Sequence, residues 1–295
     1  MRFGSCTFLL QRPNAAVLPT TLEFMLPWEL SPTVLATLLL AALLYVRGLR
    51  SPAPAVSHVR RAAFFAGLAS LYLPLQTAWD YYASHMFFVL QLHHVALHDL
   101  GPALLTAAAP GAVLSRGLPR RMRALLPAAV RVLRVPLNLL LDLRVAIVLY
   151  VASQLLWLLP PVTFDVMVSD RLYRIMNWTS VLGALPFWHL MLDPRPYPFS
   201  RLRLRYRFAG LYLAMLPMAL TSAALAFSQT NWYPVYAVCG RFLPISPVMD
   251  QELGGTAMWV PEGLLFGLVF FMYLGRKLEQ TGPVVAVSKG NASSI

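Results

Sequence analysis

At 295 residues, 58% of them hydrophobic and only 12% charged, the chain carries about half the charge of an ordinary soluble domain. Mean hydropathy is +0.61, and apolar runs long enough to cross a bilayer recur along the chain, which excludes a soluble core. A net charge of +12 would suit nucleic acid, but the basic residues cluster between the apolar runs, so nucleic acid is not an expected partner.

In chain order, residues 1–27 are expected to form a poorly defined external segment without a signal peptide. Its apolar run Cys6–Leu10 is short and Pro13 follows it, while Met25 stands as a second candidate start. The first span is predicted over about Ser31–Val46 and ends in Arg47 and Arg50. The second covers about Ala62–Trp79, between Arg60-Arg61 and Asp80. The third covers about Ser84–Leu105, with an apolar extension to Leu114. Leu125–Leu141, with Arg131 and Arg134, reads as an amphipathic helix along the cytoplasmic surface. The fourth span covers about Val145–Leu159 and stops at Pro160-Pro161. The fifth, sixth and seventh cover about Ile175–Leu192, Phe208–Phe227 and Met258–Leu274.

The fold class is therefore all-α: a polytopic membrane protein of about seven transmembrane helices over residues 28–277, with a disordered cytoplasmic tail at 278–295. Four segments hold 18 of the 24 basic residues: Arg47 to Arg61, Arg116 to Arg134, Arg195 to Arg207, and Arg276 to Lys289. They share one side only with an odd number of spans, which places the N-terminus outside and the C-terminus in the cytoplasm.

Four of the six histidines, His85, His93, His94 and His98, fall within fourteen residues of the third span, with Asp99 beside them. Ionisable groups inside a bilayer are functional candidates by default. At 100° per residue His94 and His98 occupy neighbouring positions on one face. If the helix descends from the outer surface, His94 lies about 14 Å and His98 about 20 Å deeper than His85-Met86. Imidazole and thioether donors suit copper, and methionine favours the cuprous ion. Two other uses of the same histidines stay open: hydrogen bonds between helices and a proton relay. Haem is disfavoured because opposed histidines on two helices would be needed. His58 and His189 fall toward the cytoplasmic side and are expected to be incidental.

The stretch from Pro247 to Pro261 leads toward the seventh span. Asp250 and Glu252 attract cations, Gly254-Gly255 permits a tight turn, and Met249 and Met258 add soft donors. Its plainer use is a connecting loop with Trp259 as an interfacial anchor. In the sixth span, Pro217 between Met215 and Met218 is expected to kink the helix. Cys6 and Cys239 form no paired motif, and a nucleotide-binding loop, nucleophile elbow and HExxH are all missing, so no enzyme is expected.

Four stretches together carry a likeness over about Trp28 to Arg276. They are Leu44-Tyr45-Val46-Arg47-Gly48 with Arg60 to Gly67; His85-Met86 with His94, His98 and Gly101-Pro102; Phe187-Trp188 with Leu192-Asp193-Pro194-Arg195-Pro196, Leu216-Pro217-Met218 and Tyr233-Pro234-Val235-Tyr236; and Asp250-Gln251-Glu252-Leu253-Gly254-Gly255 with Met258-Trp259-Val260-Pro261. In these the chain resembles the bacterial cytochrome c oxidase assembly factor CtaG family. The resemblance implies a multi-pass protein of the bacterial inner membrane that supports oxidase maturation, with copper supplied to the oxidase's metal centres. Oxidase subunits and copper chaperone proteins are the partners it implies. Three positions depart from the family pattern: Val89 stands where a histidine often follows His-Met, Trp157-Leu158-Leu159-Pro160 lacks a histidine, and Asn177 replaces another. The expected copper ligands are Met86, His94 and His98, with His85 and His93 as alternates and Asp250 and Met258 from the facing helix. The rival functions are a transporter or proton-coupled carrier, with these histidines as a relay, and a scaffold that holds oxidase subunits.

Overall fold

The computed structural model describes residues 30–52, 54–195, 200–238 and 240–281. The expected N-terminal segment 1–27, both cysteines and residues 282–295 lie outside them. Of the described residues 82% are helical and none is in a strand, so the class is all-α.

Helix α1 (Pro32–Leu49) starts on Ser31 with Pro32 in its first turn, where a missing N–H costs nothing. Helix α2 (His58–Gln76) is capped by Ser57, whose hydroxyl accepts the Arg60 amide. The short α3 (Ala78–Ala83) follows, capped by Thr77. Next come α4 (Phe87–His94), a π-helical segment (Val95–Leu100), α5 (Gly101–Ala107) and α6 (Gly111–Gly117). The expected surface helix is two helices, α7 (Arg120–Val132) and α8 (Arg134–Leu140), with no buried residue in either. Helices α9 (Leu143–Leu158), α10 (Pro160–Val168), α11 (Asp170–Leu192), α12 (Leu204–Phe227) and α13 (Pro247–Thr281) complete the chain. Asp142 and Ser169 cap α9 and α11.

By length and composition, Pro32–Leu49, Leu204–Phe227 and Pro247–Gly275 are able to cross a membrane. Arg134–Leu140 and Leu143–Leu158, bent by 68°, make a fourth if taken as one span. The apolar residues of these helices face outward: Leu39, Leu40 and Leu43 on α1, Leu213, Leu216 and Leu220 on α12, and Leu264, Leu268 and Phe271 on α13 are exposed. Recurrence every three or four residues marks an apolar outer stripe, which is compatible with a lipid surround.

Three expectations need correction. The third predicted span is not one helix from Ser84: His85 and Met86 lie in the turn between α3 and α4. The helical-wheel angles counted from His85 therefore do not apply. Residues 247–257 form no loop but the opening turns of α13, so Gly254-Gly255 makes no turn. The expected tail begins inside α13, which continues to Thr281.

The rod α4–π–α5 runs through the centre, packed by α2, α11 and α13. Its π segment follows from Pro102, which has no N–H for the His98 carbonyl four residues back. The Trp188 indole donates to that carbonyl at 3.2 Å, and the Ser70 hydroxyl donates to the Ala96 carbonyl at 3.1 Å. Trp188 thus meets the carbonyl that Pro102 leaves without an amide, while the Ala96 carbonyl accepts the Gly101 amide as well as Ser70. At the C-terminal end of α11, the buried Arg207 donates to the carbonyls of Met191 (3.3 Å) and Asp193 (2.7 Å). Such a basic group at a helix C-terminus satisfies otherwise orphaned acceptors.

Candidate functional site

The site is built around the rod in layers. Five buried methionines belong to one apolar cluster that packs around α4: Met86, Met167, Met176, Met218 and Met258. They come from the α3–α4 turn and from α10, α11, α12 and α13. Phe87, Tyr233 and Tyr236 close the cluster, with Phe87 and Tyr233 stacked at 4.1 Å. Burial pushes the hydroxyls of Tyr233 and Tyr236 above their ordinary values, so both stay neutral, and that of Tyr233 donates to the Leu158 carbonyl at 2.7 Å. Val89, the position where the resemblance calls for histidine, lies in this same cluster.

Asp250 holds the layer in register. Its carboxylate accepts the amides of Phe87 (3.1 Å) and Phe88 (3.0 Å) and the Arg241 guanidinium (3.1 Å). It is fully buried and acts as the N-cap of α4, supplied from another helix. Its oxygens are committed to these donors. Gln251 fixes the preceding segment by accepting the Trp232 amide and donating to the carbonyls of Leu225 and Thr230. A Cβ on Gly254 would lie 2.3 Å from the Phe87 ring, and one on Gly255 2.6 Å from backbone atoms of Ser222 and Ala226. The acidic, glycine-containing stretch is thus what lets α13 lie against both α4 and α12.

Deeper along the rod the lining turns polar. His93 is buried, with Nε2 3.2 Å from Asn177 Oδ1, so that nitrogen carries the hydrogen. Asn177 also lines a cleft of about 180 Å³ with Asp80, Asp170, Tyr173 and Arg174, beside the start of α1. The Tyr173 hydroxyl donates to Asp80 at 2.6 Å, and its ring meets His93 edge-on. One cleft wall therefore touches the histidine. His94 is buried and faces Gln154 of α9. His94 Nδ1, Gln154 Oε1 and Ser180 Oγ are buried with no hydrogen-bond partner among the described residues.

His98 lies on the π segment with Nε2 3.0 Å from the Tyr150 carbonyl and 3.2 Å from the Ser153 hydroxyl. Its Nδ1 is 3.6 Å from Asp99 Oδ1. The Tyr150 hydroxyl donates to that same carboxylate oxygen. His85 pairs with the Tyr81 carbonyl at 2.9 Å and the Ser84 hydroxyl at 3.1 Å. His58 and His189 are exposed, away from this column.

The histidines therefore do not converge on one point. Met86 and His94 are about 12 Å apart along the rod. Among the described residues no three His, Cys, Asp or Glu side chains gather into a metal-binding group. What gathers instead is one apolar cluster holding five thioethers, alongside a column of imidazoles, with Met176 next to the Asn177 that faces His93. Sequence patterns passed over Tyr150, Gln154 and Glu262, and the only signal for them was a lone polar residue inside each apolar run.

The sequence model described as cytochrome c oxidase caa3 assembly factor (Caa3_CtaG) matches residues 40–280. Nothing among the curated proteins or the solved structures matches the chain.

Proposed function

The chain belongs to the cytochrome c oxidase caa3 assembly factor family, and from that premise we propose that it takes up copper on the external side and supplies it during oxidase assembly. It acts without catalysis, and its partners are oxidase subunits or copper chaperone proteins. It resides in the bacterial inner membrane with seven crossings: α1, α2, the α4–π–α5 rod, α9, α11, α12 and α13. Met86 and the Asp80–Asn177 cleft then lie toward the outer side.

The observation that carries this proposal is the presence of five methionines in one buried cluster. Among the described residues no three His, Cys, Asp or Glu side chains gather for a hard ion, while sulfur and single imidazoles are on offer. Those suit a cuprous ion, which soft thioether ligands select. Met86 and Met258 are the proposed first ligands and His94, with its unpartnered Nδ1, the next station. His85, His93 and His98 keep their protein acceptors and position the column. Asp250 keeps its capping role.

Anaerobic copper(I) titration of the purified protein against a competing chelator tests this. Wild type is expected to retain copper, while Met86→Leu with Met258→Leu loses it at unchanged helix content. Equal retention in both proteins overturns the ligand assignment.

A further inference from the structure

A cavity of about 460 Å³ opens between the start of α2 and α6. Pro54 and Ser57 line it ahead of α2, Arg60 from the first turn of α2, and Ala109, Ala112 and Arg116 from α6 and the turn before it. Its volume falls within the about 300–1,000 Å³ usual for small-molecule sites. Helix α6 is held close to α1: a Cβ on Gly48 would lie 1.9 Å from the Val113 carbonyl oxygen, and one on Gly117 1.9 Å from that of Leu44. Ala109 turns the chain into α6 at φ +46°, a strained conformation for a residue with a side chain.

Three arginines at this place are used differently. Arg61 Nε donates to the Val56 carbonyl at 3.0 Å and fixes the segment that enters α2. Arg60 and Arg116 line the cavity and make no ion pair among the described residues. Arg116 Nε is buried with no hydrogen-bond partner among them. A buried donor on a charged group costs stability unless a ligand meets it. The segments that build the cavity supply no counter-charge, because residues 46–61 and 100–141 contain no Asp or Glu.

Guanidinium groups match phosphate oxygens with paired N–H donors. The first amides of α2, a helix of 19 residues, lack acceptors within the helix and add to the positive field. A bilayer supplies the matching anion here. Helices α7 and α8 follow α6 directly and bury no residue, and Met122, Leu125 and Val130 are exposed among the arginines of α7. That pattern lies along a membrane surface among anionic headgroups.

We propose that this cavity binds the phosphate group of an anionic membrane lipid, held between Arg60 of α2 and Arg116 of α6. The site rests on the membrane placement given above and not on copper. The Asp80–Asn177 cleft lies at the other end of α1.

Native mass spectrometry of the full, copper-free chain in detergent tests this, with phosphatidylglycerol, phosphatidylcholine or inorganic phosphate added. Wild type is expected to retain phosphatidylglycerol in preference to the other two. Arg60→Gln with Arg116→Gln should lower that retention about thirtyfold, at about fivefold for each arginine near an anionic surface. Ala112→Phe fills the cavity with both arginines in place and should lower it too. Arg120→Gln with Arg121→Gln, on the exposed start of α7, should leave it nearly unchanged. Circular dichroism checks helix content in each variant. Equal retention in wild type and in Arg60→Gln with Arg116→Gln overturns the proposal. So does an equal loss in Arg120→Gln with Arg121→Gln, which would make binding a property of the whole basic surface. Inorganic phosphate that displaces the lipid at equal concentration would make the ligand a free anion and overturn the lipid assignment.

Discussion

Where α4 begins, Asp250 takes three donors and Gln251 pairs with three backbone groups, all around apolar rings and thioethers. Two turns deeper, His94 Nδ1, Gln154 Oε1 and Ser180 Oγ lie buried with no partner among the described residues. The first region uses the polar atoms of Asp250 and Gln251 to hold helices together, and leaves the Tyr236 hydroxyl without a partner among the described residues. The second keeps polar atoms in reserve, which costs stability and is retained where a ligand or proton is handled. The same rod thus carries a rigid collar and a chemically open middle.

That contrast breaks most readily at the collar. Asp250→Ala strands the Arg241 guanidinium and two backbone amides, and should cost about 3–5 kcal/mol, read by thermal unfolding in detergent. Gly255→Ala comes next, at about 1–3 kcal/mol, because backbone atoms of α12 occupy the place of its Cβ. Unfolding in the same detergent checks it, and a neutral result would mean that α12 and α13 are not in close contact. In the middle, Asn177→Leu removes the acceptor of His93 Nε2 and should cost about 1 kcal/mol. His94→Gln should change stability by no more than about 1 kcal/mol while altering copper retention. If His94→Gln proved as damaging as Asp250→Ala, the middle would be structural and the contrast would vanish.

The smallest effect lies at the far end of α11. Burial pushes the Asp193 carboxyl up, but the side-chain and backbone N–H groups of Arg195 outweigh it and hold the carboxyl below its ordinary value. A lowered folded-state value means this stabilisation is complete above the ordinary carboxylate range and fades as pH falls through the folded value. Arg195 is largely exposed, so solvent screens the pair and the effect is slight. Arg195→Ala should remove that part of the acid sensitivity in pH-dependent unfolding.

Hydropathy made α9, α11 and α12 legible, because each buries or exposes a continuous apolar run. It missed the break at Ser84–Met86, since α4 receives its cap from Asp250, more than 160 residues away. It also missed the π segment, for which Pro102 was the sequence signal and at which Trp188 from another helix meets the freed His98 carbonyl. The glycine pair of α13 looked like a turn because glycine serves turns and close packing alike. In the site, histidine and methionine were legible by donor type. Tyr150 acquires meaning only once α9 places its hydroxyl on Asp99.

The most direct measurement is the copper content of the oxidase in membranes of cells lacking this protein. An assembly factor that supplies copper leaves oxidase subunits and haem present but copper short. Restoring the wild-type chain should refill the metal, and the Met86→Leu, Met258→Leu chain should not. A copper-replete oxidase in its absence, or full restoration by the doubly substituted chain, would contradict the account.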